Sequence, residues 1–362
     1  MTYFKKRGKT GYVILVIVLV GLFHFRKLSG ETWSQSNQEE FAVNTMENVD
    51  ISTSQGEVRI SGAYPPDKNT VLLLHFDETE GETAKDSSGM SFSGILRNMK
   101  TPSCWVEGKF GNALRFYGNK DYVSLGNNPK FSGMNELTIE AWIYVRDFPY
   151  ASSCIIVKHQ SYALSIDKTG KIIFSLCDQD GKTQRLASAV PIFPERWYHI
   201  AGTWSSTEGK MKLWINGIQE SETQDITLSV VKESGSDLTI SSGIVGLHGF
   251  NGIIDEVRIS NIARNSFPGE DGYFTSGIMT SPRINPEGRE VRQVALEWED
   301  DVPAGVSPIR YYVTNDGGNT WHPSPGNGAT FIFPSPGRDL RVKAVLRRGK
   351  HTPVLKRWKA TY

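Results

Sequence analysis

Residues 248–265 read HGFNGIIDEVRISNIARN. Glycine and asparagine make a turn, Ile253 to Ile259 reads as a strand, and a polar loop follows. Plain alternation puts Ile253, Asp255, Val257 and Ile259 on one face and Ile254, Glu256 and Arg258 on the other. Aspartate is depleted from strands. Asp255 therefore calls for a partner, either a metal ion or the backbone N–H groups of a neighbouring loop.

Moving outward, the same strand grammar repeats. Val71 to Phe76 is an apolar run broken only by His75. Thr138 to Val145 alternates, with Ile139, Ala141, Ile143 and Val145 opposite Thr138, Glu140, Trp142 and Tyr144. Cys154–Lys158, Tyr162–Asp167 and Lys171–Cys177 are short runs, the last two joined by Lys168-Thr169-Gly170. Trp197–Trp204 and Lys210–Ile215 follow, and Asn216-Gly217 is a strong hairpin signal because a type I′ turn needs positive φ at both positions. Leu238–Ser241 completes the set. Many short strands with Gly/Asn turns, and no amphipathic helix pattern, predict an antiparallel two-sheet sandwich.

Blocks within this region resemble the laminin G-like, concanavalin A-like lectin/glucanase domain. They are Leu74-His75-Phe76-Asp77-Glu78 with Asp86-Ser87-Ser88-Gly89, Gly108 to Phe116 with Asp121-Tyr122-Val123, Thr138 to Ile143, Trp197 to Trp204, Leu213 to Gly217, and Ile254 to Ile259. The six occur in the family's order over residues 71–265. The resemblance implies a jelly-roll sandwich and a surface that recognises glycan or protein ligands. It also implies a structural Ca2+ near the acidic residues of the blocks: Asp77, Asp86, Asp255 and Glu256. Calcium takes six to eight oxygens, and the Asp86 loop offers both carboxylate and carbonyl. The competing expectation is that Asp86 caps its own turn and Glu256 faces solvent.

The flanks read differently. Lys5, Lys6, Arg7 and Lys9 precede an apolar run from Gly11 to Phe25, followed by Arg26 and Lys27. Fifteen residues suit a signal-peptide core better than the roughly 20 of a membrane span. No A-x-A cleavage site is present, so a cleaved signal and a retained membrane anchor both stand for residues 1–30. Either exports the rest to the periplasm, the cell surface or the medium, where an adhesive role would fit. Residues 31–63 carry six acidic side chains and one basic one and read as a polar spacer with a short strand at Gly56–Ile60. Pro65-Pro66 marks a boundary, so the central domain is placed at 64–265. After a linker with a first strand at 266–280, residues 281–362 hold 13 Lys+Arg against 8 Asp+Glu. There Val291–Trp298, Ile309–Thr314 and Leu340–Leu346 alternate, which predicts a second, smaller β-sandwich. The segment 45–62, of opposite charge to that end, is a candidate to donate a strand to it. Its Asp316-Gly317-Gly318-x-x-Trp321 block resembles accessory modules of exported bacterial proteins.

Composition narrows the function. The net charge of +1 gives no global case for nucleic acid. Three cysteines, Cys104, Cys154 and Cys177, allow at most one internal disulfide. No H-E-x-x-H, G-x-S-x-G or P-loop occurs. Glycosidases of the resembled fold place two acids on one strand, about 5 Å apart for retention; Glu140 and the pair Asp255-Glu256 lack that spacing. The expectation is a non-catalytic surface protein that binds glycan or a surface protein. The alternatives are a structural envelope protein and a glycoside-cleaving enzyme with an atypical site. Among the tryptophans Trp105, Trp142, Trp197, Trp204 and Trp214, core packing is expected before sugar stacking. The loops near Tyr117–Asp121, Phe148–Ser153 and Asp178–Lys182 are better ligand positions.

Overall fold

A computed structural model describes residues 31–51, 57–62, 64–118, 120–148, 152–223, 230–241, 249–348 and 352–362. The expected signal or anchor at 1–30 lies outside the described residues. Among those described, no helix is long and apolar enough to cross a membrane.

The chain is all-β, with antiparallel sheets stacked as two sandwiches. In the central sandwich the front sheet runs Thr183–Ala187, Ile172–Cys177, Tyr162–Ile166, Ser153–Lys158, Leu238–Ser241, Tyr122–Ser124, Gly94–Arg97, Thr83–Ala84. The back sheet runs Ile218–Glu222, Lys210–Ile215, Trp197–Ser205, Glu136–Val145, Asn251–Ser260, Asn112–Tyr117, Trp105–Glu107. Thr70–Leu74 also pairs with Asn251–Ser260, so the first strand of the domain lies beside its last. Ile139, Ala141, Ile143 and Val145 from the back sheet meet Leu164, Ile166, Ile172, Phe174 and Leu176 from the front in one apolar core. The hairpin at Asn216-Gly217 forms with φ of +50° and +77°.

The closing strand does not alternate plainly. Arg258 pairs with Glu140, but Asp255 pairs with Trp142, so one extra residue is accommodated on this strand. The bulge centres on Glu256, whose φ is +50°. Its effect is to re-phase the strand. Ile254, Val257 and Ile259 reach the core, while Asp255, Glu256 and Arg258 bond to groups outside it. The expected face-sharing of Asp255 with Val257 and Ile259 is therefore corrected by the bulge.

The second sandwich draws on both ends of the chain. Thr32–Gln35 pairs with Val354–Thr361, which continues to Val291–Asp301 and Thr330–Gly337. The facing sheet is Thr45–Glu47, Ser276–Thr280, Arg341–Arg347, Arg310–Thr314 and His322–Pro323. Phe41, Val58 and Ile60 share its core with Val342, Leu346 and Trp358. Where described, residues 31–63 are thus part of this sandwich and not the spacer that their composition suggested. Tyr64, Leu73 and Phe274 join the same core, so the module packs on the outer face of the back sheet.

Candidate functional site

That packing leaves two very different sheet faces. The outer face of the back sheet is covered, and buried polar groups fill it. Glu140 and Arg258 sit directly opposite each other, and Glu140 Oε1 accepts from Arg258 Nε at 2.7 Å with side-chain exposures of 0% and 3%. Glu140 Oε2 lies 3.2 Å from His199 Nε2. The Arg258 guanidinium stands 4.0 Å from the centre of the Tyr64 ring. Burial alone would raise the Glu140 carboxyl; the Arg258 charge and the His199 bond overcome it and hold the group at about 2. Burial lowers His199 below the ordinary imidazole value despite Glu140. These residues are a structural joint between the modules.

The four predicted calcium residues fall around this joint. Asp255 Oδ2 accepts from the backbone N–H groups of Lys109 and Phe110, at 2.8 and 3.0 Å. This meets the backbone alternative for Oδ2, while Asp255 Oδ1 is buried with no hydrogen-bond partner among the described residues. Gly108 permits the approach, since a Cβ there would lie 2.6 Å from Asp255 Oδ2. Asp77 holds the far end of the same turn, accepting from Asn112 N at 3.0 Å. Glu256 is 1% exposed, not solvent-facing, because the bulge turns it inward. Its oxygens meet His75 Nδ1 at 2.8 Å and Tyr64 N at 3.3 Å. Asp86 caps its own loop, with bonds from Leu73 N, Ser88 N, Ser88 Oγ and Phe92 N. Asp77 and Asp255 do approach one turn from two sides, but among the described residues no group of three His, Cys, Asp or Glu is placed to hold a metal. Their carboxylates are engaged instead by backbone N–H, hydroxyl and imidazole groups of separate segments.

Sequence reasoning missed the Glu140–His199–Arg258 network. Its members are far apart in the chain, and the signal was a charged residue, Glu140, at the centre of the apolar run Thr138–Val145. The tryptophans are mostly structural: Trp142 and Trp204 are fully buried, and Trp214 packs on Phe267 at 5.1 Å.

The front sheet is open. Leu164, Ile172, Phe174 and Leu176 point into the core, so Ala163, Ser165, Ile173 and Ser175 face outward. Ala163 and Ser175 are cross-strand partners, and Ser175 pairs onward with Arg185. The result is a trough of about 390 Å³ floored by small side chains and lined also by Cys154, Val157, His159, Gln160, Cys177 and Thr183. Two of the three predicted loops reach it, through Ser152 and Gly181; Tyr117–Asp121 does not. At one end Lys158 is wholly buried. Its Nζ donates to Asn127 Oδ1 at 2.8 Å and Ser236 O at 2.7 Å, fixing the neighbouring loops. Cys154 and Cys177 both line the trough but are separated by the strand Tyr162–Ile166, and all three cysteines are free.

A 37-residue stretch is 49% identical to pentraxin-related protein PTX3 of Mus musculus, which is 10% of this chain and 10% of that one. Among solved structures, the binding domain of Paraclostridial Mosquitocidal Protein 1 aligns over 77% of this chain and 70% of its own, at 16% identity and TM-score 0.44. The receptor binding domain of botulinum neurotoxin D aligns over 54% and 50%, at 22% identity and TM-score 0.41. Domain 4 of AbnA, an extracellular arabinanase of Geobacillus stearothermophilus solved with arabinotriose, aligns over 54% and 93%, at 16% identity and TM-score 0.41. All three TM-scores lie below 0.5, so the fold reading rests on sheet order and on the family match. Residues 117–266 match the family model of the Concanavalin A-like lectin/glucanases superfamily, which the central sandwich thus resembles over most of its length.

Proposed function

We propose that this chain is an exported, non-catalytic glycan-binding protein whose ligand lies in the trough of the front sheet. The observation that carries the reading is the contrast between the faces: the centre of the back sheet's outer face, at Glu140, Trp142, His199 and Arg258, is buried under the second sandwich, while the front keeps an open trough. Its volume of about 390 Å³ falls in the range of roughly 300–1,000 Å³ of small-ligand sites. Ser165, Ser175 and Thr183 offer hydroxyls, His159, Gln160 and Arg185 offer ring, amide and guanidinium groups, and Ala163 and Ile173 offer apolar contact. That mixture suits the alternating C–H and O–H surface of a sugar.

Among the described residues, none that lines the trough is Asp or Glu. Glycoside cleavage uses a carboxylate pair, so the lining favours holding a glycan over cutting it. Export rests on the basic-then-apolar pattern of residues 5–25. The test is a glycan array probed with the labelled full chain and with Ser175→Trp, which fills the floor. We expect a defined set of glycans to bind and the variant to lose them while keeping its unfolding midpoint. Binding unaffected by Ser175→Trp would refute the assignment.

A further inference from the structure

One motif of the second sandwich has no part in any of this: the turn Asp316-Gly317-Gly318 with Trp321. Thr314 Oγ1 donates to Asp316 Oδ1 at 2.6 Å, and Thr320 N donates to the same oxygen at 3.0 Å. Gly318, at φ +100°, lets the indole close over it; a Cβ there would lie 3.3 Å from the ring. Trp321 is thereby held in place but only partly buried.

The ring stands beside a sheet face with an unusual charge. Tyr311, Val313, Val342, Ala344 and Leu346 point into the core. Their neighbours Arg310, Tyr312, Lys343, Val345 and Arg347 therefore take the outer face. Tyr312 is the cross-strand partner of Lys343. The Lys343 ammonium lies 4.1 Å from the centre of Trp321 and 5.1 Å from that of Tyr312. Among the described residues, Arg310, Lys343 and Arg347 have no carboxylate partner, whereas Arg341 on the same strand is paired with Asp339 at 2.8 Å. The acidic residue of this face, Glu47, lies two strands from Lys343 on the edge strand.

We propose that this face is a second binding site, for an acidic polysaccharide carrying carboxylate or sulfate groups. The rings Trp321 and Tyr312 offer apolar surface for sugar C–H faces. Lys343, flanked by Arg310 and Arg347, supplies the cations, and guanidinium suits the planar, bidentate geometry of such anions. Lys343 and Arg347 are four residues apart on one strand, about 13 Å at about 3.3 Å per residue, so a chain bearing repeated charges can meet both. A nucleic acid is less well matched, because the whole chain carries a net charge of only +1.

The test uses the full chain in affinity electrophoresis through gels holding heparin, polygalacturonate or neutral dextran, with a single-stranded oligonucleotide as competitor. Retardation by both acidic polymers and not by dextran is expected. The variant Arg310→Gln/Lys343→Gln/Arg347→Gln, all on the outer face, should weaken retardation by about tenfold with an unchanged unfolding midpoint. Tyr312→Thr, which leaves every charge in place, should weaken it severalfold. Ser175→Trp should not change it, which separates this site from the trough. The proposal is overturned if the wild-type chain is not retarded, if the triple variant runs like it, or if Tyr312→Thr is silent and the oligonucleotide competes as well as the polysaccharide. The last result would show a charge-only surface.

Discussion

Replacing Glu140 with alanine strips the partner from a guanidinium that is 3% exposed. Two routes give the size of the effect. Breaking a buried ion pair on one side costs about 3–5 kcal/mol, because the remaining charge is left in a poorly solvating place. Independently, the Glu140 carboxyl sits at about 2 against an ordinary 4.5; at 1.36 kcal/mol per pH unit this is about 3 kcal/mol of preference for the charged form. The Tyr64 ring, 4.0 Å from the guanidinium, offsets about 1 kcal/mol, no more than a third of that loss. Glu140→Ala should therefore destabilise by about 3 kcal/mol or more, a fall in unfolding midpoint of roughly 6–12 °C. The double variant Glu140→Leu/Arg258→Met removes both charges and should recover most of that. The assay is urea and thermal unfolding of the full chain, followed by tryptophan fluorescence, as a double-mutant cycle. The carboxyl also sets an acid limit. Its folded value is depressed, so its stabilisation is present above about 4.5 and is lost as pH falls towards about 2. A loss below about 1 kcal/mol for Glu140→Ala, or a double variant as weak as the single one, would refute the reasoning.

His75 is raised: burial opposes its charge, but the Glu256 bond and charge prevail. Its contribution should be full below about 6.5 and fade as pH rises through the raised value, so the stability gap between wild type and His75→Gln should widen on going from pH 9 to pH 6; an unchanging gap would contradict the pairing. His199 is lowered and works in the opposite sense, which is why the gap, and not the wild-type curve alone, is the readout. Asp255→Ala orphans the N–H groups of Lys109 and Phe110 and should cost about 2–4 kcal/mol. Asp255→Asn keeps an acceptor and should cost less, and chelator should not shift the midpoint of either variant or of wild type; a chelator-sensitive wild type would restore the calcium expectation. Burial pushes the Cys154 thiol up to about 11 and raises Cys104 as well, so a thiol reagent at pH 8 should modify the half-exposed Cys177 first, as peptide mapping would show.

Much of the fold was legible because the strands that build it carry their burial locally. Ile139 to Val145 and Leu340 to Leu346 alternate without interruption, and each occupies the face its pattern indicates. The failures share a physical cause. On Ile253–Ile259 a left-handed residue at Glu256 inserts a bulge that hydrophobic periodicity does not record. Val291–Trp298 also departs from plain alternation: its ladder with Thr330–Gly337 slips between Val291 and Gln293, with the surplus residues on the partner strand, and Val291, Val294 and Leu296 all reach one core. The segment at 31–63 looked like a spacer because its partners are distant, Thr32 lying opposite Thr361. The trough was half legible, since two of its loops were expected and its floor of small residues was not. Alanine, serine and cysteine in a strand look like weak packing until the other side of the sheet is known to be full.

The most direct test of glycan binding at the trough uses Cys177 as a reporter in place, since it lines the site. Its alkylation rate would be measured in the full chain with and without the tightest oligosaccharide from the array. A ligand seated in the trough should slow the reaction by a factor that grows with concentration as 1 + [L]/Kd, and Ser175→Trp should abolish the protection. A rate unchanged at saturating glycan would place the sugar elsewhere and contradict the account.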